Sequence, residues 1–318
     1  VLSTTPTSTT LEFILTDYNQ SVIKIGETDF VNYEVPGSIS FMERGFPQLP
    51  IHRASIIIPD LAGMNYRVID QQLNEIATDP VAPSKGHFTR NIDPETVAYT
   101  FDQFYNSDNW YPQTNFSTDN PYIIKDLRGL TVQFNPMQYN PAEHKLRICT
   151  RLVVEIYSDE NIPAINPLIR TKNLDGIGKE FMGIYNSLFI NFGYSYYDYV
   201  PLPENGKLLI VYPTAFASNI APFVQWKQER GLETLTAEYP TQTGSGSAAL
   251  KTYIQNLYNS VGSVTFIVFV GESNQIPTLS GQYEGAPSDP SYVKLAGSDA
   301  YPDAFISRIS PTSSTNLD

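Results

Sequence analysis

The chain has 318 residues, of which 41% are hydrophobic and 17% charged, and it carries 21 Tyr, 17 Phe and 24 Pro. A formal net charge of −13 with a pI near 4.6 sets it against a phosphate backbone, so nucleic acid is excluded as a partner. The one cysteine excludes an intramolecular disulfide, and no apolar run approaches the roughly 20 residues a membrane-spanning helix needs.

The length suits two domains at about 100–200 residues each. Low charge beside many aromatic, Thr, Asn and Pro residues suits a β-rich protein with ordered loops. The start at Val1, with Ser and Thr and no basic-apolar leader, suits a removed signal peptide or an artificial start. The polar close at 312–318 reads as a cap entering a further helix, so the chain is expected to be the first part of a longer one.

Residues 1 to about 160 carry strand signals: 11–15, 21–25, 54–58 and 65–69 are short apolar or alternating runs bounded by turn residues. From Leu146 to Ile156, apolar side chains alternate with Arg147, Arg151 and Glu155, the pattern of a strand with one wet face. These features predict a β-sandwich over 1–175. The stretch 79–121 is long and aromatic, which argues for a loop packed on a surface. A Pro/Asn-rich connector at 161–175 precedes a helix from about Lys179, with Phe181, Ile184, Tyr185, Leu188 and Phe189 on one face. Residues 176–205 therefore read as a linker helix and an extended junction.

From 206 to 318 the pattern changes. Runs that are apolar on both faces, at 207–212, 232–239 and 264–270, alternate with helical stretches, which predicts a parallel sheet covered on both sides. Gly231 is placed to end the first of these helices and Ser247 to cap the second. Residues 304–308 look like a further strand. In such a sheet, ligands sit outside the carboxyl ends of the strands, which is where Glu272 falls.

Chemistry is sparse. Cys149 lies mid-strand, on the side opposite the apolar set, with nothing to depress its pKa. His52, His87 and His144 have no metal-ligand spacing, and the Gly244-Ser-Gly246 loop lacks the Lys of a phosphate loop. No catalytic residue is assigned. Asp299, Tyr301 and Asp303 alternate in a turn two residues after Gly297, a spacing that suits a hard cation but also an ordinary solvated turn.

Three stretches carry a resemblance: Phe223-Val-Gln-Trp-Lys-Gln-Glu-Arg-Gly231, Phe269-Val-Gly-Glu-Ser-Asn-Gln-Ile-Pro277 and residues 288–308. They resemble the start of the catalytic domain of gingipain-type cysteine peptidases, family C25. Gly45-Phe-Pro-Gln-Leu-Pro50, residues 55–59 and Leu127-Arg-Gly129 resemble, more loosely, the β-sandwich proregion of such zymogens. The resemblance implies a caspase-like α/β domain at 206–318 and a secreted or cell-surface endopeptidase acting on proteins or peptides through a Cys nucleophile and a His. It implies structural Ca²⁺ held by Ala296 (carbonyl), Asp299, Tyr301 (carbonyl) and Asp303, with Glu272 at a second site. The catalytic His and Cys are expected beyond residue 318, so this chain is expected to be inactive by itself.

The proregion of such a zymogen is expected to hold its own catalytic domain latent, with Arg90, Arg128 or Arg151 blocking the specificity pocket. Between 173 and 206 the only basic residue is Lys179, which argues against self-release by cleavage after a basic residue there. The alternative is a non-catalytic surface protein with a degenerate caspase-like domain. A carbohydrate-binding sandwich would rest only on Trp110 and Tyr111.

Overall fold

The structure, a computed structural model, describes residues 1–170, 176–194, 201–202, 206–261, 264–282, 285–311 and 313–316. The expected junction at 194–204 lies mostly outside them. The chain forms two compact units that interleave in sequence. Residues 1–120, 130–164 and 188–196 make the first; residues 121–129, 165–187 and 197–318 make the second.

The main strands up to residue 160 are β1 (Ser8–Ile14), β2 (Pro50–Ile57), β3 (Met64–Ala77), β4 (Phe116–Thr118), β5 (Tyr122–Ile124), β6 (Leu127–Phe134), β7 (Met137–Asn140) and β8 (Lys145–Ser158). β8 is the spine of one sheet and pairs antiparallel with β1, β3 and β7. β6 lies between β2 and β4 in the other. Leu11, Ile56, Phe116, Val132, Phe134, Leu152 and Val154, drawn from both sheets, form one buried cluster. Period-2 alternation sends one face of each sheet inward, and the result is the expected sandwich.

The wet face of β8 holds a ladder of ion pairs: Arg147 with Glu75, Arg151 with Glu12 and Asp70, and Glu155 with Arg67. Exposed pairs of this kind contribute at most about 1 kcal/mol each, so their main effect is on register. Arg147 also lies 3.8 Å from the centre of the Trp110 ring. Phe104, Tyr105 and Tyr111 pack against a second buried cluster. The aromatic loop is packed, as the sequence suggests.

Cys149 departs from its expected orientation. It is fully buried in the core between the sheets, because the β3–β8 register slips between Cys149 and Arg151. Thr150 is the extra residue of this bulge. With it set aside, Cys149 and Leu152 are two steps apart and face the same way. Leu146 and Ile148, one phase earlier, face the second cluster.

In the second unit, helix α1 (Lys179–Leu188) buries Phe181 and Tyr185. There follow β9 (Lys207–Pro213), α2 (Ala221–Glu229), β10 (Thr234–Tyr239), α3 (Ser247–Val261), β11 (Val264–Val270) and β12 (Phe305–Ile309). The sheet order is β10-β9-β11-β12 and every pairing is parallel. β9 is buried on both faces. Leu208 and Ile210 join Phe216 and Ile220 on one side, while Leu209 and Val211 join Leu250, Ile254 and Phe269 on the other. This is the two-sided α/β sheet expected from the apolar runs.

Gly231 (φ 77°) ends α2: its N–H donates to Gln228 O, and that of Leu232 donates to Lys227 O. Those two bonds satisfy orphan helix carbonyls and require a left-handed residue, hence glycine. For α3, the bonding starts one residue before the predicted cap, with Leu250 N–H on Gly246 O, so Ser247 is already inside the helix.

Candidate functional site

β10 and β11 leave β9 on opposite sides, so the strand order reverses at β9, the place where α/β sheets bind ligands. At the end of β11 the chain turns sharply: Gly271 has φ 148°, and the Glu272 carbonyl accepts from Gln275 and Ile276 N–H at 2.9 Å. The Glu272 N–H donates to Gln275 Oε1 at 2.9 Å. The Glu272 carboxylate makes no hydrogen bond or ion pair among the described residues.

Arg308 of β12 fastens this end of the sheet. It donates to the carbonyls of Gly271 (2.8 Å) and Ile276 (2.9 Å), and makes a bidentate pair with Asp289 at 2.8 and 2.7 Å. Both side chains are largely buried, 12% and 19% exposed, and Phe269 lies beneath the guanidinium. All its visible partners are structural.

The loop before β12 gathers the other predicted residues. Asp303 is wholly buried; its Oδ2 accepts from the N–H groups of Leu295 (2.6 Å) and Ala296 (2.7 Å), and its Oδ1 from that of Lys125 (2.7 Å). Burial pushes its carboxyl up to about 6, against the pull of those three amides. Asp299 Oδ1 accepts from Tyr301 N–H at 2.8 Å, and its Oδ2 from Ile123 N–H and Asn166 Nδ2, both at 2.7 Å. Tyr301 stacks on Tyr122, with ring centroids 4.1 Å apart.

The partners Ile123, Lys125 and Asn166 were not foreseen. Ile123 and Lys125 belong to the β5–β6 hairpin, where Leu127 pairs with Ile124 across a two-residue Lys125-Asp126 turn. Lys125 is left-handed there (φ 48°), a conformation for which hairpins ordinarily use Asn or Gly. No local signal announces the turn, and none connects it with a loop more than 170 residues away. Lys125 Nζ donates to Thr265 Oγ1 at 3.0 Å, and burial lowers its pKa while Asp126, Glu180 and Asp303 pull it back. Asp126, raised by burial, is held by Tyr185 Oη at 3.3 Å, and the Asp126 carbonyl accepts from Arg170 at 2.6 Å.

These residues do not fit calcium as they stand. Ca²⁺ needs about six to eight oxygens aimed at one point. Here every oxygen of Asp299 and Asp303 faces N–H donors, and two lysines, Lys125 and Lys251, whose pKa values burial lowers, lie near enough to Asp303 for its charge to offset part of that lowering. Ala296 contributes an N–H to Asp303. Among the described residues no group of three or more His, Cys, Asp or Glu side chains is placed to hold a metal ion.

Cys149 has no catalytic setting: burial pushes its thiol up to about 11, and Sγ donates to the Arg151 carbonyl at 3.3 Å. Of the three arginines, Arg151 is committed to its ion pairs and Arg90 is exposed. Arg128 is wholly buried in the second unit, donating to the carbonyls of Ile165 (2.6 Å) and Asn166 (3.0 Å). It ties together two segments that are far apart in the chain.

The C25 propeptide family model matches residues 1–196, and the model of peptidase family C25 matches residues 202–318. The chain belongs to family C25. It is a gingipain-type proregion followed by part of the peptidase domain. It is 32% identical over 281 residues to gingipain R2 of Porphyromonas gingivalis, and 30% identical to gingipain R1 of the same organism. These matches cover 88% of the chain but only 38% and 28% of the two relatives. A solved complex of the RgpB pro- and mature domains of P. gingivalis aligns with a TM-score of 0.54 at 27% identity, covering 60% of this chain and 95% of that one. Within this C25 chain, residues 121–129 and 165–187 fall in the propeptide match, yet belong to the unit that contains the peptidase match.

Proposed function

We propose that the chain is the latency-conferring proregion and the first part of the catalytic domain of an exported cysteine endopeptidase zymogen. The observation that carries this reading is the one just described: two proregion segments are built into the peptidase-side unit. Their docking there, through Asp299, Asp303 and Asn166, is what a proregion that holds its own enzyme would need. The relatives named above support a protein or peptide substrate. The nucleophile and its His lie outside residues 1–318 in this reading, since the one thiol is buried with a raised pKa. Of the arginines considered for the specificity pocket, Arg151 is engaged in ion pairs and Arg128 is buried on the carbonyls of Ile165 and Asn166, so the exposed Arg90 is the one we favour.

The test is proteolysis by the longer gene product. It should be silent on casein until cut between residues 196 and 202, then active, and blocked by a thiol alkylator. The 318-residue chain by itself should cleave nothing. Full activity in the uncut product, or activity that survives alkylation, refutes the reading.

A further inference from the structure

β3 pairs with β8 along its whole length, and among the described residues no strand takes its other side. Every residue from Arg67 to Ala77 is exposed. Val68, Ile69, Leu73 and Ile76 are large apolar side chains, yet they are 37–54% exposed. A long open edge presents a row of backbone N–H and C=O groups without partners, the template for a further strand. Such edges are usually blunted by charge or by a bulge. β3 carries both: Arg67, Asp70 and Glu75 lie along it, and its register with β8 slips at Ile69. These devices repel most strands, but not a second β3.

When β3 is set antiparallel to a copy of itself, about a two-fold axis at Gln71, Arg67 faces Glu75, Ile69 faces Leu73 and Tyr66 faces Ile76, each pair occurring twice. Arg67 and Glu75 both lie on the wet face, bound to Glu155 (2.6 Å) and Arg147 (2.8 Å) of β8. Their side chains stay 64% and 40% exposed, so each has room for a second partner. Across the joined sheets the charges run Glu155, Arg67, Glu75, Arg147, alternating in sign from strand to strand. Paired strands lie about 4.8 Å apart, which brings the new pair within reach of a salt bridge. Sliding by one residue sets Arg67 against Asn74 or Ile76 and sends the side chains to opposite faces. We propose that β3 is a self-association edge, through which two copies of the chain join their sheets by antiparallel β3–β3 pairing centred on Gln71. The two-fold contact closes on itself, so it yields a dimer and not a fibre. It does not depend on the zymogen reading.

The experiment measures the mass of the 318-residue chain by sedimentation equilibrium, from micromolar to submillimolar concentration. The chain should pass from monomer to dimer. A double variant, Ile69→Lys with Leu73→Lys, sets lysine against lysine on both sides of the axis and should raise the dissociation constant by at least about tenfold. Both positions are exposed, so the fold is retained. Cross-linking reads the register. Gln71→Cys should form a disulfide with its own copy under mild oxidation, because facing Cα atoms lie about 4.5–5.5 Å apart and Cys149 is buried. Ile69→Cys and Leu73→Cys should not link to themselves, but should link to each other when the two variants are mixed. A chain that stays monomeric throughout overturns the proposal, as does a double-lysine variant that dimerises like the wild type. So does a dimer in which Gln71→Cys fails to link, or self-linking that is equal for the Ile69, Gln71 and Leu73 variants.

Discussion

Asp303 offers the sharpest stability test in the second unit. Replacing it with Ala strands three N–H donors, those of Leu295, Ala296 and Lys125, in a site that is wholly buried at the carboxylate. Each unsatisfied buried donor costs about 1–3 kcal/mol, but water entering the vacated space recovers part of this, so the expected loss is about 3–5 kcal/mol. That is a large share of the roughly 5–15 kcal/mol by which a domain is stable. Asp303→Asn keeps one oxygen for Leu295 and Ala296 but turns an NH₂ toward the Lys125 amide, so it should lose about 1–2 kcal/mol. The two tryptophans make the assay clean, since Trp110 is in the first unit and Trp226 in the second. In a Trp110→Phe background, urea unfolding read by Trp226 fluorescence reports the second unit. With a slope of about 1–3 kcal/mol per molar, the Ala midpoint should fall by on the order of 2 M and the Asn midpoint by less. An Ala variant within about 1 kcal/mol of its parent refutes the reasoning, because those amides would then have other partners.

Three further outcomes follow from the same geometry. Arg308→Ala should destabilise the second unit by about 3–5 kcal/mol, because it leaves Asp289 largely buried and two carbonyls without their donor; the same urea assay reads it. Cys149 should resist Ellman's reagent at pH 8 in the native chain and react fully in denaturant. Its folded pKa, about 11, exceeds the ordinary 9.0, so the unfolded state releases this proton first and stability falls as pH rises from 9 to 11, by about 2–3 kcal/mol in all. Cys149→Ala, compared over the same range, should lack that component. Gly206→Ala would place a Cβ 1.9 Å from Thr265 Oγ1, the acceptor of Lys125 Nζ, so it should lower the melting temperature of the second unit; an unchanged melting curve would show that the loop yields freely.

Much of the fold was legible because it rests on local periodicity. The alternation from Leu146 to Ile156 announced a strand with one wet face, and the ion-pair ladder on Arg147, Arg151 and Glu155 is that face. Gly231 announced the end of α2, since few other residues tolerate its φ. Cys149 was misread for a reason of the same kind. A bulge shifts the phase of a strand by one residue, and nothing around Thr150 signals where the pairing will slip.

By itself, the sequence determined the two architectures, their order, the family, and the loop at 296–303 as a place where acids gather. Those properties depend on residues close together in the chain: apolar spacing, turn chemistry and contiguous motifs. What the acids do was decided by tertiary structure. Asp299 and Asp303 spend their oxygens on the N–H groups of Ile123 and Lys125, some 175 residues earlier in the chain, and backbone amides are the same in every residue but proline. A partner that carries no side-chain signature cannot be read from composition or spacing. Only the folded unit, which brings proregion segments 121–129 and 165–187 together with residues 197–318, shows that the acidic loop is bound by its own chain.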